Sequence, residues 1–307
     1  MSAITPVSSS AVFRRLPVLT EAQALLTREV DAVNEHGESL RVSIPAERAL
    51  TVYVDKRELV TLMTLGAHPE LLVLGYLRNQ RLISNVDDIE SVTVDWEVGA
   101  AAVRTHRGID FIEEKTARRV VTTGCGQGSV FGGLMDEVDQ IALPSHASMS
   151  QAQLYALVNT IRVKETTYKS AGSVHACALF VLTDGDPEML LFVEDVGRHN
   201  AIDAIAGWMW MQQSAPALAS TAEPSLAFYT TGRLTSEMII KSAQMGVPIV
   251  VSRSGITQMG LDVAQSLGLC AIGRATNRRF ICYSGNHRLR LQPELADAKL
   301  RSPSNME

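Results

Sequence analysis

The chain has 307 residues, enough for a sizeable core in one large or two ordinary domains. With 46% hydrophobic and 20% charged residues it reads as globular, and a formal net charge of -5 argues against a general nucleic-acid or membrane-surface role. No uninterrupted apolar run reaches the ~18 residues of a membrane span, and the opening MSAITPVSSSAVFRRLP has no apolar stretch followed by a cleavage site, so no secretory signal is expected.

Residues 1–20 are Ser-rich and read as a loose segment. A small α+β unit is expected over 21–120. LRVSIP (40–45) and LTVYV (50–54) alternate with period 2, as half-buried strands do. PELLVLGYL (69–77) predicts a short buried helix with Pro69 in its first turn, and VTVDWEV (92–98) a further strand. RRVVTT (118–123) is strand-like and leads into TTGCGQGSVFGG (122–133), which holds one cysteine and five glycines. Such a glycine-rich stretch is read as a mobile loop over 121–135, either a passive turn or an arm carrying a reactive thiol.

A larger α/β unit is expected over 136–290, followed by a tail at 291–307. Residues 150–164 have helical periodicity. ACALFVL (176–182) and MLLFVE (189–194) are continuous apolar strands of the kind buried on both faces. A helix at 199–210, a strand at 226–230, a helix at 236–245, a strand at 247–252, a helix at 258–267 and strands at 269–273 and 280–283 complete the pattern. Strands alternating with helices predict a parallel or mixed sheet covered on both faces, so the fold class is α/β, and α+β overall.

Open α/β sheets bind ligands beyond the carboxyl ends of their strands. Four such ends carry arginine here: Arg198, Arg233, Arg253 and Arg274, with glycine directly before three of them. Guanidinium forks suit phosphate, and helix N-termini add a favourable dipole, so the ends together predict a crevice for a bulky phosphorylated ligand. RATNRR (Arg274, Ala275, Thr276, Asn277, Arg278 and Arg279) adds a basic loop, or else a polar hairpin turn. In EDVGRHN (194–200), Asp195 could orient Arg198 or His199, or the segment could simply cap a helix. His175, at the start of an apolar strand, reads as a structural histidine rather than a ligand.

The four cysteines, Cys125, Cys177, Cys270 and Cys282, contain no C-x-x-C pair, which argues against a disulfide framework or zinc cluster and fits a reducing cytosol. Cys177 and Cys270 lie inside apolar runs and read as buried. Cys125 lies in the glycine loop, where an exposed thiol is free to react.

Taken in order, TLGAHPELLVLGYL (64–77), EDVGRHNAID (194–203), the block from Thr230 to Arg274 and YSGNHRL (283–289) resemble the FdhD (NarQ) family of formate dehydrogenase accessory sulfurtransferases. The likeness runs over roughly residues 40–290. It implies a cytidine-deaminase-like mixed sheet between helices with a smaller amino-terminal domain, in a cytoplasmic homodimer. It also implies the chemistry: persulfide sulfur is taken from a cysteine desulfurase onto Cys125 and passed to the molybdenum cofactor in its bis(molybdopterin guanine dinucleotide) form, before that cofactor enters formate dehydrogenase. The cofactor is a bound substrate here, and no permanently bound metal is implied. The family's cofactor-binding stretch maps to Arg274 through Arg279, with Arg198 and Arg233 in the arginine crevice. Where the family has C-G-x-C-G, this chain has Cys125, Gly126, Gln127, Gly128 and Ser129, so sulfur release by a second loop thiol is replaced by direct transfer or an external reductant. Arg253-Ser254-Gly255-Ile256-Thr257 stands where the family tends to have Ser-x-Pro-Thr, and Arg274-Ala275-Thr276-Asn277 replaces an aromatic-rich stretch.

Two other functions remain open at this point. One is a chaperone that holds and delivers the guanylated cofactor without sulfur chemistry. The other is a zinc deaminase, for which His36-Gly37-Glu38 and His68-Pro69-Glu70 supply H-x-E but no C-x-x-C exists.

Overall fold

The computed structural model describes residues 16–109, 138–164, 166–212 and 225–296. The glycine loop, with Cys125 and the strand-like 118–123, lies outside the described residues.

The amino-terminal half builds a five-stranded sheet in the order β1-β6-β7-β4-β5. Its strands are β1 (Val18–Leu19), β4 (Arg48–Val54), β5 (Arg57–Thr64), β6 (Ile89–Asp95) and β7 (Ala100–Thr105). The period-2 reading of β4 holds: Leu50, Val52 and Val54 are buried and the residues between them are not. A separate ribbon pairs β2 (Thr27–Val33) with β3 (Ser39–Pro45). Helix α1 (Pro69–Asn79) follows β5 with Pro in its first turn and is buried on nearly every side.

The carboxyl-terminal half builds a six-stranded sheet in the order β10-β9-β11-β12-β13-β14. Its strands are β9 (His175–Leu182), β10 (Glu188–Asp195), β11 (Ser225–Thr230), β12 (Ile249–Ser252), β13 (Cys270–Thr276) and β14 (Arg279–Ser284). β11, β12 and β13 are mutually parallel, and β9 and β14 run antiparallel to them. β10 is antiparallel to β9, so its carboxyl end lies on the same edge as theirs. A short pair, β8 (Met149–Ser150) with β15 (Leu289–Arg290), lies apart.

Successive residues of the central strands enter two cores, as period 2 requires. Cys177, Leu179, Phe228 and Val250 face α1 together with α4 (Arg198–Gln212), α5 (Ser236–Gln244) and α6 (Gln258–Ser266). Ala178, Phe180, Ala227 and Val251 face α2 (Gln151–Lys164) through Leu154, Leu157 and Ile161. A short helix, α3 (Thr167–Ala171), precedes β9. Both faces are covered, which is why these strands read as unbroken apolar runs.

The first core is continuous with that of the amino-terminal sheet. α1 lies along α4 with backbone against backbone: a Cβ at Gly75 would fall on the Asp203 carbonyl, and one at Gly207 on the Leu71 carbonyl. Behind this contact is a buried polar seam. Lys241, with no exposure, sits 2.9 Å from Asp203 and 3.4 Å from Glu237; Asn79 donates to Asp203 at 2.6 Å; His199 Nε2 is 3.2 Å from Glu237. Burial alone would lower the Lys241 pKa, but the two carboxylates outweigh it and raise it, so the lysine stays charged.

Candidate functional site

The carboxyl ends of β10, β11, β12 and β13 lie side by side, and their loops are stitched together. The Arg253 N–H donates to the Thr230 carbonyl at 3.1 Å, and the Ser252 hydroxyl to the Gly232 carbonyl at 2.6 Å. Leu234 N–H donates to Gly255 at 2.9 Å and Arg274 N–H to Ser254 at 2.8 Å. Backbones joined in this way hold the side chains they carry close to one another. The amino ends of α4, α5 and α6 follow directly on these loops, so their positive dipole ends lie at the same edge.

Arg198 opens α4 and is buried, its aliphatic stem lying over Gly232, where a Cβ would overlap its Cδ. Gly232 is therefore required by packing. Its N–H donates to Thr230 Oγ1, and that of Gly197 to Asp195, so neither is offered to an anion. Arg233 is exposed. Arg253 is half-buried with its guanidinium 5.3 Å above the Tyr168 ring, a cation–π contact that fixes its direction. Arg274 is exposed on a left-handed residue (φ 52°) within the irregular pairing of β13 with β14.

His175, read from sequence as structural, belongs to this edge. Its Nδ1 lies 3.3 Å from Thr231 Oγ1, which also accepts from the Ala176 N–H at 3.0 Å. Burial lowers the imidazole pKa, and the fields of Arg198, Arg233 and Arg253 lower it further, so it is neutral at pH 7. Its position at the start of a strand that runs antiparallel to β11 was the signal available, because such a residue lies where the neighbour's carboxyl end lies.

Asp195 does a different job from the one its neighbours suggested. Its carboxylate accepts from Thr64 Oγ1, Leu65 N–H, Gly197 N–H and Asn200 Nδ2, and so ties the crevice turn to the end of β5. Burial raises its pKa against these four hydrogen bonds. Glu194 accepts from the Thr166 hydroxyl and the N–H groups of Thr167 and Tyr168, thereby capping α3.

The basic stretch divides. Arg274, Thr276, Asn277 and Arg279 are exposed and Ala275 is buried in the second core. Asn277 and Arg278 form one wall of a cavity of about 400 Å³ whose other wall is Tyr155, Asn159 and Arg162 of α2. Tyr155 donates its hydroxyl to the Arg278 carbonyl at 3.0 Å, and Arg278 donates to the Leu295 carbonyl at 3.1 Å. Among the described residues no three His, Cys, Asp or Glu side chains are grouped to hold a metal ion, and Glu70 of the second H-x-E accepts from the Ala22 N–H.

This arrangement, a cation-lined edge of a mixed sheet, belongs to a recognisable class. Residues 45–290 match the FdhD/NarQ family, and the chain is a member of it. Among its relatives are proteins named sulfur carrier protein FdhD. The one from Bacillus subtilis is 30% identical over 259 residues, covering 83% of this chain and 94% of that protein. Those from Listeria innocua and Nocardia farcinica are 27% and 29% identical, over 82% and 81% of this chain. The crystal structure of a provisionally assigned formate dehydrogenase accessory protein from Desulfotalea psychrophila shares the fold, with a TM-score of 0.64 at 21% identity over 86% of this chain and 98% of that one.

Proposed function

We propose that this protein is a cytoplasmic sulfur carrier for formate dehydrogenase. Cys125 accepts persulfide sulfur from a cysteine desulfurase and hands it to the molybdenum cofactor in its bis(guanine dinucleotide) form. The observation that carries this reading is family membership over 45–290, among relatives named as sulfur carriers. The strand-end crevice supports it, because a guanine dinucleotide brings pyrophosphate oxygens and Arg198, Arg233 and Arg253 supply guanidinium donors for them. In this reading the residues from Arg274 to Arg279 hold the nucleotide end, and the chain works as a homodimer. The six-stranded sheet, with three parallel strands between antiparallel neighbours, supports a cytidine-deaminase-like description of that half.

A second reading, a chaperone that delivers the cofactor without sulfur chemistry, is favoured by Gly128, which leaves the loop with one thiol. One experiment separates the two. The protein is incubated with a cysteine desulfurase and cysteine, and its peptides are weighed. The sulfur-carrier reading expects the mass of one added sulfur atom on the Cys125 peptide, and loss of formate dehydrogenase activation in Cys125→Ala. An unmodified peptide together with an active client in that variant establishes the chaperone instead.

A further inference from the structure

His175 is a titratable group of the crevice edge that the proposed function leaves without a task. His175 shares Thr231 with the turn after β11 that carries Arg233; the Arg198 stem of α4 lies over Gly232 of that turn, and the Arg253 N–H of the turn after β12 binds the Thr230 carbonyl, so the fields of all three guanidinium groups reach the ring. Among the described residues the nearest acids are already engaged elsewhere. Asp195, its register partner on β10, is held by Thr64, Leu65, Gly197 and Asn200, and Glu194 is held by α3. Cys177, two residues along β9, is a buried thiol against Thr230. Tyr168 lies beneath Arg253. The imidazole is half-buried and hydrogen-bonded on one nitrogen only by a hydroxyl that can either donate or accept. A protonated ring can therefore be accommodated without moving the backbone.

We propose that His175 is a ligand-binding residue of this crevice, and that a divalent oxyanion docking among Arg198, Arg233 and Arg253 is captured together with one proton on the His175 imidazole. The inference rests on reading the crevice as the site for a phosphate-bearing ligand. Without ligand the three cations disfavour a fourth positive charge. A dianion cancels that field and adds an attraction, so the ring gains a proton from solvent and with it a charged donor for the anion. The sign follows from linkage. A bound state that holds one more proton than the unbound state is favoured as pH falls, by up to about tenfold in affinity per pH unit between the two titration points. The same coupling releases the ligand as the proton leaves.

Inorganic sulfate is the probe, because its own charge does not change across the range of about pH 5 to 8 in which histidine titrates. Calorimetric titration of the full chain in two buffers of different ionisation enthalpy counts the protons taken up. Wild type is expected to take up close to one proton over part of this range and to bind several-fold more tightly per pH unit of acidification. His175→Gln, which keeps a polar partner for Thr231, is expected to bind sulfate with no proton uptake and a flat pH profile. Arg233→Ala is expected to weaken binding at every pH and so locate the anion. Sulfate binding by wild type without proton uptake, or equal uptake in His175→Gln, overturns the proposal and leaves the crevice reading standing. Absence of sulfate binding by wild type removes both. Should His175→Gln fail to fold, the NMR titration of the His175 ring in wild type decides. A midpoint raised by sulfate supports the coupling, and an unchanged midpoint overturns it.

Discussion

Cys177 and Cys282 carry the same thiol in opposite surroundings. Cys177 is fully buried on β9, and desolvation pushes its pKa up to about 12 despite the Thr230 hydroxyl beside it. Cys282 is half-buried on β14, and a hydrogen bond from Cys270 lowers its pKa, while Cys270, as the donor and a buried group, is raised. Thiolate is the reactive form. Iodoacetamide on the native protein near pH 8 is therefore expected to alkylate Cys282 and to leave Cys177 and Cys270 untouched, as read by peptide mass. Labelling of Cys177 at a comparable rate would show that β9 is not held as described.

At the scale of elements, the contact between α1 and α4 governs the shared core. Helices usually lie 8–10 Å apart with side chains between them, whereas here Gly75 and Gly207 let carbonyl meet backbone. A methyl group at either position has nowhere to go, because its neighbours are main-chain atoms. Gly207→Ala would gain about 1 kcal/mol of helix propensity in an isolated helix. In this protein overpacking is expected to reverse that sign, for a net loss of about 1–3 kcal/mol in denaturant unfolding. A Gly207→Ala variant as stable as wild type would mean that the two helices can move apart at little cost.

Across the whole molecule, the two halves are joined by a continuous core and by the Asp195 tie to Thr64 and Leu65. Thr64→Val keeps the shape and removes two buried hydrogen bonds, the one donated to the Asp195 carboxylate and the one accepted from the Gly66 N–H, at an expected cost of about 2–4 kcal/mol. The pH dependence has a definite sign. The Asp195 pKa is raised in the folded protein, so its contribution to stability is fully present below its unfolded value of about 3.9 and is lost as pH rises through the folded value. Thr64 favours the charged form. The penalty of Thr64→Val is therefore larger at neutral pH than in acid, and chemical unfolding followed at two pH values measures it. A penalty that is the same in both would show that Thr64 does not hold the ionised carboxylate.

Elements whose pattern is local are legible in the residues alone: the double-sided strands of the second half, the helices between them, and the set of arginines at strand ends. Apolar runs of strand length and Gly-Arg steps are visible without knowing what they pack against. Three strands of the first sheet lie outside that reading. β1 falls within the segment 1–20 read as loose, and its pairing with β6 at Val18 and Leu19 makes it a strand. β5 follows a turn at Asp55 and Lys56, both left-handed without a glycine to announce it, and β7 begins with three alanines, which strands do not favour. Their pairing with β4 from both sides decides their conformation. Tertiary structure alone revealed that the fields of three arginines reach His175, that Asp195 binds Thr64 and Leu65 as well as its neighbours Gly197 and Asn200, and that Lys241 is a core residue. The physical reason is common to all three. Hydrogen bonds and fields act through space, and partners up to 131 residues apart leave no periodicity for a linear reading to detect.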